Sequence, residues 1–265
     1  MIDLHCHILP GLDDGPISAK EALEMCRIAV DDGIQTIVAT PHMLNGMFSV
    51  DRQAILEGVQ ELSQVLRQES IPLRLLPGAD VHLDPSMPSY LEQGKLVTLA
   101  DLGRHLLLEL PQDIVPKGLG ELLFQVQLKG VTPIITHPER NIAIEQNPAV
   151  LNDLIRAGSL TQITAGSLTG VFGSRVRRCT LRLLEARAVH LVSTDAHNPG
   201  RRSPRLSKAR RVVEEELGGE EAERIFVERP ARILEGAHVE APEPLTDGAT
   251  PKRKRSFWKK LFSYS

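Results

Sequence analysis

Apolar residues along the chain fall into two alternating patterns. From Ser18 to Asp32 they recur at Ala22, Leu23, Cys26, Ala29 and Val30, the spacing that gives a helix one apolar face, and Gly33 ends the run. The next segment, IQTIVAT, is short, apolar and rich in β-branched residues, and predicts a buried strand. The alternation then repeats. A helix from Asp51 to Gln68 precedes strands LRLLPGA and HLLLEL, and a helix from Lys117 to Leu128 precedes strand VTPIIT. A helix after Pro148 reaching Ala157, strand LTQITA, a helix from Ser174 to Ala186 and strand AVHLVST follow. Helices rich in Arg and Glu close the body by about Leu234.

Repeated strand-then-helix units imply parallel strands joined by helical crossovers, and this many units predicts an α/β fold closed into a barrel. An open doubly wound sheet is the alternative. It would need a phosphate-binding Gly-rich turn after a strand, and neither GxGxxG nor GxxxxGK[ST] occurs. From about Ala237 the pattern gives way to HVEAPEPLTDGATP, a Pro-rich polar stretch that reads as a linker. The predicted organisation is a barrel over residues 1–236, a flexible linker over 237–250 and a tail over 251–265.

Composition narrows the class. The 265 residues suit one large domain, and a hydrophobic fraction of 42% with 25% charged residues is that of a globular protein. No basic leader with an apolar core opens the chain, and no segment approaches the run of about 20 apolar residues that a membrane span requires. The expectation is a cytoplasmic protein. Cys6, Cys26 and Cys179 form no CxxC pair and no disulfide pattern, and are expected to be buried packing residues. The tail PKRKRSFWKKLFSYS carries six Lys or Arg and no acid; removing those charges from the net −3 leaves −9 on the first 250 residues. An acidic body is not a nucleic-acid surface. The basic tail, with Phe257, Trp258 and Phe262, has the chemistry of a segment that lies on an anionic bilayer, cations on phosphates and aromatics at the interface. A disordered, solubilising tail is the other reading.

The chemistry-bearing residues are not scattered. MIDLHCH ends in His5 and His7, ATPH in His42, PGAD in Asp80, and HLLLEL contains Glu109; VTPIITHPER supplies His137, and VHLVSTDAH supplies Asp195 and His197. Each lies at the C-terminal end of an apolar run, and in a parallel barrel those ends share the face that carries the chemistry. In a strand, residues two apart point the same way, so His5 and His7 share a face and Cys6 points away; Asp195 and His197 repeat the arrangement. Imidazoles and carboxylates are ligands for Zn, Mn or Fe, and a carboxylate can bridge two ions. The joint pattern points to a polynuclear metal site. His105 and His190 begin strands and belong to the opposite end, as structural or solvent-facing residues; His238 falls in the linker, and His82 suits a pocket-lining or loop role. Asp13 and Asp14 in DDGP form a turn on local grounds alone.

MIDLHCH, DDGP, TPH, GAD, LELP, THPER and STDAHN together resemble the polymerase and histidinol phosphatase (PHP) superfamily, and more closely its bacterial manganese-dependent tyrosine-protein phosphatases of the CpsB type, from Met1 to about Gly236. The resemblance implies a distorted seven-stranded (β/α) barrel with three metal ions at the C-terminal face, Mn first, with Fe, Zn or Co as alternatives. It implies one ion on His5, His7, Asp80 and Asp195, a second sharing Asp80 with Glu109 and His137, and a third on Asp14, His42 and His197. The family usually carries Glu where this chain has Asp80, a carboxylate one methylene shorter.

The same resemblance implies hydrolysis of phosphotyrosine by a metal-activated water, on an autophosphorylated bacterial tyrosine kinase that controls capsule or exopolysaccharide synthesis. Arg140 in HPER is the candidate phosphate-binding fork. Arg201 and Arg202 in NPGRRSP come second, and the family pattern favours Arg202. Thiolate phosphatase chemistry is excluded, because it needs Arg six positions after the Cys, where this chain has Leu12, Asp32 and Glu185. A small-molecule phosphatase acting on histidinol phosphate, and a membrane-recruited scaffold with a degraded site, are the competing readings.

Overall fold

The computed structural model describes residues 1–240 together with Pro244 and Leu245. Among the described residues nine strands run in chain order: β1 (Ile2–Cys6), β2 (Thr36–Ala39), β3 (His42–Met43), β4 (Arg74–Pro77), β5 (Asp80–His82), β6 (His105–Glu109), β7 (Thr132–Thr136), β8 (Leu160–Thr164) and β9 (Leu191–Ser193). They form two parallel sheets, β1-β2-β4 and β3-β5-β6-β7-β8-β9. The predicted helices are present at Ala19–Asp31, Arg52–Gln68, Leu119–Leu128, Ala149–Arg156 and Gly173–Glu185. Ser18 and Asp51 cap the first two, accepting from the backbone N–H of Glu21 and Ala54.

The strand predicted over LRLLPGA is present as Arg74–Pro77, and after a break at Gly78 and Ala79 a second short strand, Asp80–His82, continues it. Thr36 pairs with Arg74 and Ala39 with Pro77; past the gap, His42 pairs with Asp80 and Met43 with Val81 in the same register. β2 with β3, and β4 with β5, are therefore two barrel strands, each interrupted at the same level. Pro41 offers no N–H to the ladder there. Next to it in the gap, at the level of Thr40, a Cβ on Gly78 would lie 2.6 Å from Val38 Cγ1, so glycine suits the point where the two interrupted strands close on each other. AVHLVST is likewise shorter than its pattern, with ladder pairing confined to Leu191–Ser193.

Counted this way, seven parallel strands make the ring. The seam between first and last is joined by a single bridge, Cys6 to Ala196, flanked by hydrogen bonds from Asp195 N to His5 O (2.8 Å) and from His7 N to Ala196 O (2.9 Å). Among the described residues no ladder closes it, and the strands remain two sheets. Asp3, buried beneath this seam, accepts from Thr194 N at 3.0 Å, and its other carboxylate oxygen accepts from Thr194 Oγ1.

The core divides in two. Between strands and outer helices lies the larger apolar shell, which includes the buried, free Cys6, Cys26 and Cys179. Inside the ring, Leu4, Val38, Leu107, Ile134, Leu160 and Leu191, with Leu76 beside them, form an apolar floor, covered from below by Leu99, Ile233 and Val239. His105 and His190 are both buried at the strand beginnings, so neither faces solvent. Strand alternation puts the next inward residue two positions on. There the chemistry changes from Val38 to Thr40, Leu107 to Glu109, Ile134 to Thr136, Leu160 to Gln162 and Leu191 to Ser193. An extra residue in β1 shifts its register between Asp3 and Cys6, and above Leu4 it presents His5 and His7.

Candidate metal centre

The polar layer is crowned by the residues singled out at the strand ends. His5 and His7 come from β1 and the turn after it, Asp14 from the following loop, His42 from β3, Asp80 from β5 and Glu109 from β6. His137 directly follows β7, while Asp195 and His197 follow β9. His137 (φ 35°) and Asp195 (φ 50°) adopt left-handed backbone, which costs non-glycine residues roughly 1–2 kcal/mol each. Those turns bend the chain inward over the mouth.

Three overlapping sets result: His5, His7 and Asp80; His7, Asp14, His42 and His197; His42, Asp80 and Glu109. Within each, one nitrogen or oxygen per residue lies within 4.8 Å of the others. The remaining two residues border these sets. His137 Nε2 is 3.6 Å from Glu109 Oε1, and Asp195 Oδ1 is 3.6 Å from His5 Nε2 and 3.5 Å from His7 Nε2. All nine expected residues thus converge, with His7 and His42 each standing in two sets rather than one.

Charge and burial shape this cluster. Burial holds His5 down to about 4 and His7 well below the usual histidine range. Burial also pushes the Asp80 carboxyl well up, with the Glu109 charge adding to it. Burial would lower His42 too, but the facing Glu109 and Asp80 carboxylates override it and lift the imidazole to about 9. The same contact, with His137 and His82 nearby, overrides the burial of Glu109 and holds its carboxyl at about 2.

The donor set fits divalent cations. Asp80 Oδ2 is buried without a hydrogen bond, and His5 Nε2, His42 Nδ1 and His137 Nε2 stand around it at 3.5, 3.7 and 3.9 Å. His5 Nε2 and His7 Nε2 face each other at 3.1 Å. Imidazole nitrogens gathered around a buried carboxylate oxygen that has no hydrogen bond of its own form a donor set suited to a cation.

Arginines line one side. Arg140 Nη1 lies 2.9 Å and Arg202 Nη2 2.8 Å from Asp195 Oδ2; burial would raise this carboxyl, and the two guanidiniums with His5 and His137 hold it well below the usual range. The Arg140 guanidinium also sits 5.1 Å from the Phe172 ring centre. Arg201 turns away, donating to Val171 O at 2.8 Å, so of the Arg pair only Arg202 reaches the cluster. His82 stays at the rim, its Nδ1 3.5 Å from Glu109 Oε2.

Several residues that hold the site are not metal-ligand candidates in the sequence. Asp13 is more than a turn former: Oδ1 accepts from Gly15 N at 2.9 Å, while Oδ2 accepts from His7 Nδ1 at 2.6 Å and from His42 N at 3.0 Å. Gln162 Oε1 accepts from His5 Nδ1 at 2.8 Å. Glu139, buried in HPER, accepts from Thr164 N and Ser167 Oγ and so fixes the turn between His137 and Arg140. The available signal was positional: Gln162 stands two residues past Leu160, at the level where every inward residue turns polar.

A family model described as capsular polysaccharide synthesis, CpsB/CapC, matches residues 1–235. The chain is 42% identical over 220 residues to the tyrosine-protein phosphatase YwqE of Bacillus subtilis (strain 168), an alignment covering 83% of this chain and 86% of YwqE. It is 30% identical over 239 residues to the tyrosine-protein phosphatase CpsB of Streptococcus pneumoniae, covering 88% and 98%. A solved structure from the pair YwqE and CpsB, described as metal-dependent tyrosine phosphatases, superposes with a TM-score of 0.89 at 39% identity, covering 92% of this chain and 98% of that one.

Proposed function

Because the chain belongs to the CpsB/CapC family, we propose that it is a metal-dependent tyrosine-protein phosphatase whose nine convergent residues hold the metal ions. The observation that carries this reading is the convergence of His5, His42 and His137 on the buried, unbonded Oδ2 of Asp80, with His7 facing His5 and Arg140 and Arg202 beside them. His5, His7, Asp14, His42, Asp80, Glu109, His137, Asp195 and His197 are the proposed ligands, for three ions with Mn first. Divalent ions in such a site supply Lewis acidity and a hydroxide nucleophile at neutral pH. Among the described residues Arg140 and Arg202 are the guanidiniums that pair with a carboxylate of the cluster, and each can fork onto phosphoryl oxygens. Asp195 holds both forks at the mouth. A phenol leaves readily, since its pKa is about 10, so a phosphotyrosine ester needs no strong general acid from the protein.

The substrate we assign is a phosphotyrosyl protein, specifically a bacterial tyrosine kinase; the family description supports the link to capsule synthesis. The site of action is cytoplasmic, at the inner face of the membrane. Among the described residues no helix is long and apolar enough to cross a bilayer, and the basic tail over 251–265, which would supply peripheral attachment, lies outside the described residues.

Hydrolysis of a phosphotyrosine peptide and of histidinol phosphate, measured after chelation and again with Mn²⁺ restored, tests the assignment. Metal-dependent turnover of the peptide, lost in His137→Ala, is the expected result. Preference for histidinol phosphate, or turnover of neither, overturns it.

A further inference from the structure

Five imidazoles close to one another, those of His5, His7, His42, His137 and His197, pose a tautomer problem, because a neutral histidine offers a lone pair on one ring nitrogen only. For His5 the choice is made by Gln162. Its amide Nε2 donates to Ile163 O at 2.7 Å, which leaves Oε1 facing His5 Nδ1 at 2.8 Å. An amide oxygen only accepts, so the His5 proton sits on Nδ1 and the lone pair on Nε2.

For His7 the choice is made by Asp13, whose Oδ2 lies 2.6 Å from Nδ1. This contact depends on a close turn: a Cβ on Gly15 would lie 2.6 Å from the His7 carbonyl oxygen, so only glycine lets the DDGP loop fold back this far. The consequence is that the two Nε2 lone pairs point at each other across 3.1 Å. Two lone pairs at that distance repel unless a cation lies between or beside them.

We propose that Gln162 and Asp13 are positioning residues that lock His5 and His7 into the tautomer with inward lone pairs, and thereby set the metal affinity of the centre. Neither belongs to the nine residues assigned as ligands, and the inference rests on the reading of that centre as a metal site. Asp13 has a second effect. The oxygen that orients His7 also accepts from the backbone N–H of His42 at 3.0 Å, so one carboxylate aligns ligands from β1 and β3. Acceptors of this kind behind metal-binding histidines are worth about 10–100-fold in affinity.

The test uses the full chain. Apparent Mn²⁺ affinity is measured by competition with a chelator for wild type, Gln162→Met, Gln162→Glu and Asp13→Asn, and ring tautomers are read from long-range ¹H–¹⁵N spectra of the chelated proteins. Gln162→Met keeps the shape and removes the acceptor; Gln162→Glu restores an acceptor. Asp13→Asn offers one acceptor oxygen where the carboxylate uses two. The expected result is a loss of about 10–100-fold for Gln162→Met and Asp13→Asn, affinity near wild type for Gln162→Glu, and His5 leaving the Nδ1–H tautomer only in Gln162→Met. Wild-type affinity in Gln162→Met, or equal weakening in Gln162→Met and Gln162→Glu, overturns the inference. Absence of Mn²⁺ binding in the wild type instead overturns the metal-site reading beneath it.

Discussion

Arg140 Nη1 stands 2.9 Å from Asp195 Oδ2, and that carboxylate is only 2% exposed. Arg202 reaches the same oxygen from another loop. Two guanidiniums therefore share one buried anion at the edge of the cluster, which holds both forks rigid while leaving each partly open to solvent. Replacing Arg140 by Ala is expected to lower kcat/KM on a phosphotyrosyl peptide by roughly 10²-fold, the scale of losing one preorganised donor. Arg140→Lys recovers a fraction, because an ammonium cannot fork. Steady-state kinetics with parallel metal analysis checks this, and an unchanged kcat/KM would remove Arg140 from phosphate binding.

Gly78 sits where the two broken strands approach each other. A Cβ there would lie 2.6 Å from Val38 Cγ1 and 3.2 Å from both Leu99 Cδ2 and Thr40 Cγ2. Gly78→Ala is expected to destabilise the fold by about 1–3 kcal/mol, as overpacking does, and to weaken Mn²⁺ binding through Asp80, two residues on. Urea unfolding and metal titration read the two effects separately; a variant as stable as wild type would mean that the kink has room to spare.

His105 lies buried at the start of β6, at the opposite end of the strand from Glu109. Burial lowers its pKa from 6.5 to about 4, with His238 and Arg104 adding to the effect. Below pH 6.5 the unfolded chain takes up a proton that the folded chain refuses, so stability drains away as pH falls towards 4. At pH 5 the loss amounts to roughly 2 kcal/mol. His105→Leu should flatten this part of the profile relative to wild type, whatever its fixed effect at pH 7.5. Parallel slopes for the two proteins between pH 7.5 and 5 would show that the histidine charges in the folded state.

The tail makes a prediction independent of the barrel. Full-length protein is expected to sediment with phosphatidylserine vesicles at low salt and to be released as salt screens the attraction. A chain lacking residues 250–265 should stay in the supernatant and retain its peptide phosphatase activity. Equal sedimentation of the two proteins would remove the tail from membrane attachment.

Much of this was legible in the sequence because both signals are periodic. Helix faces and apolar runs placed the elements, and the recurrence of His, Asp and Glu at run ends placed His5, His7, His42, Asp80, Glu109, His137, Asp195 and His197 on one rim. What the sequence hid depends on contacts between strands. Gln162 is an unremarkable residue in LTQITA until β8 is set beside β7, where His137 N donates to its backbone oxygen while its side chain meets His5. Asp13 reads as a turn residue because one of its oxygens does serve the turn. The break in LRLLPGA was invisible for a similar reason: Gly78 is forced by Val38 and Leu99, which are remote in the chain.

The layering inside the barrel separates what keeps the protein folded from what it does. Leu107, Ile134, Leu160 and Leu191 would pack in the same way under a different crown, since the polar residues begin one pleat higher. A new reaction could therefore arise on this frame by exchanging a single inward residue per strand, and a ligand could be lost without loosening the floor. The architecture is in that sense a socket: the positions two residues above its leucines and isoleucine form a polar seat, and its pins are set at that level and just above it.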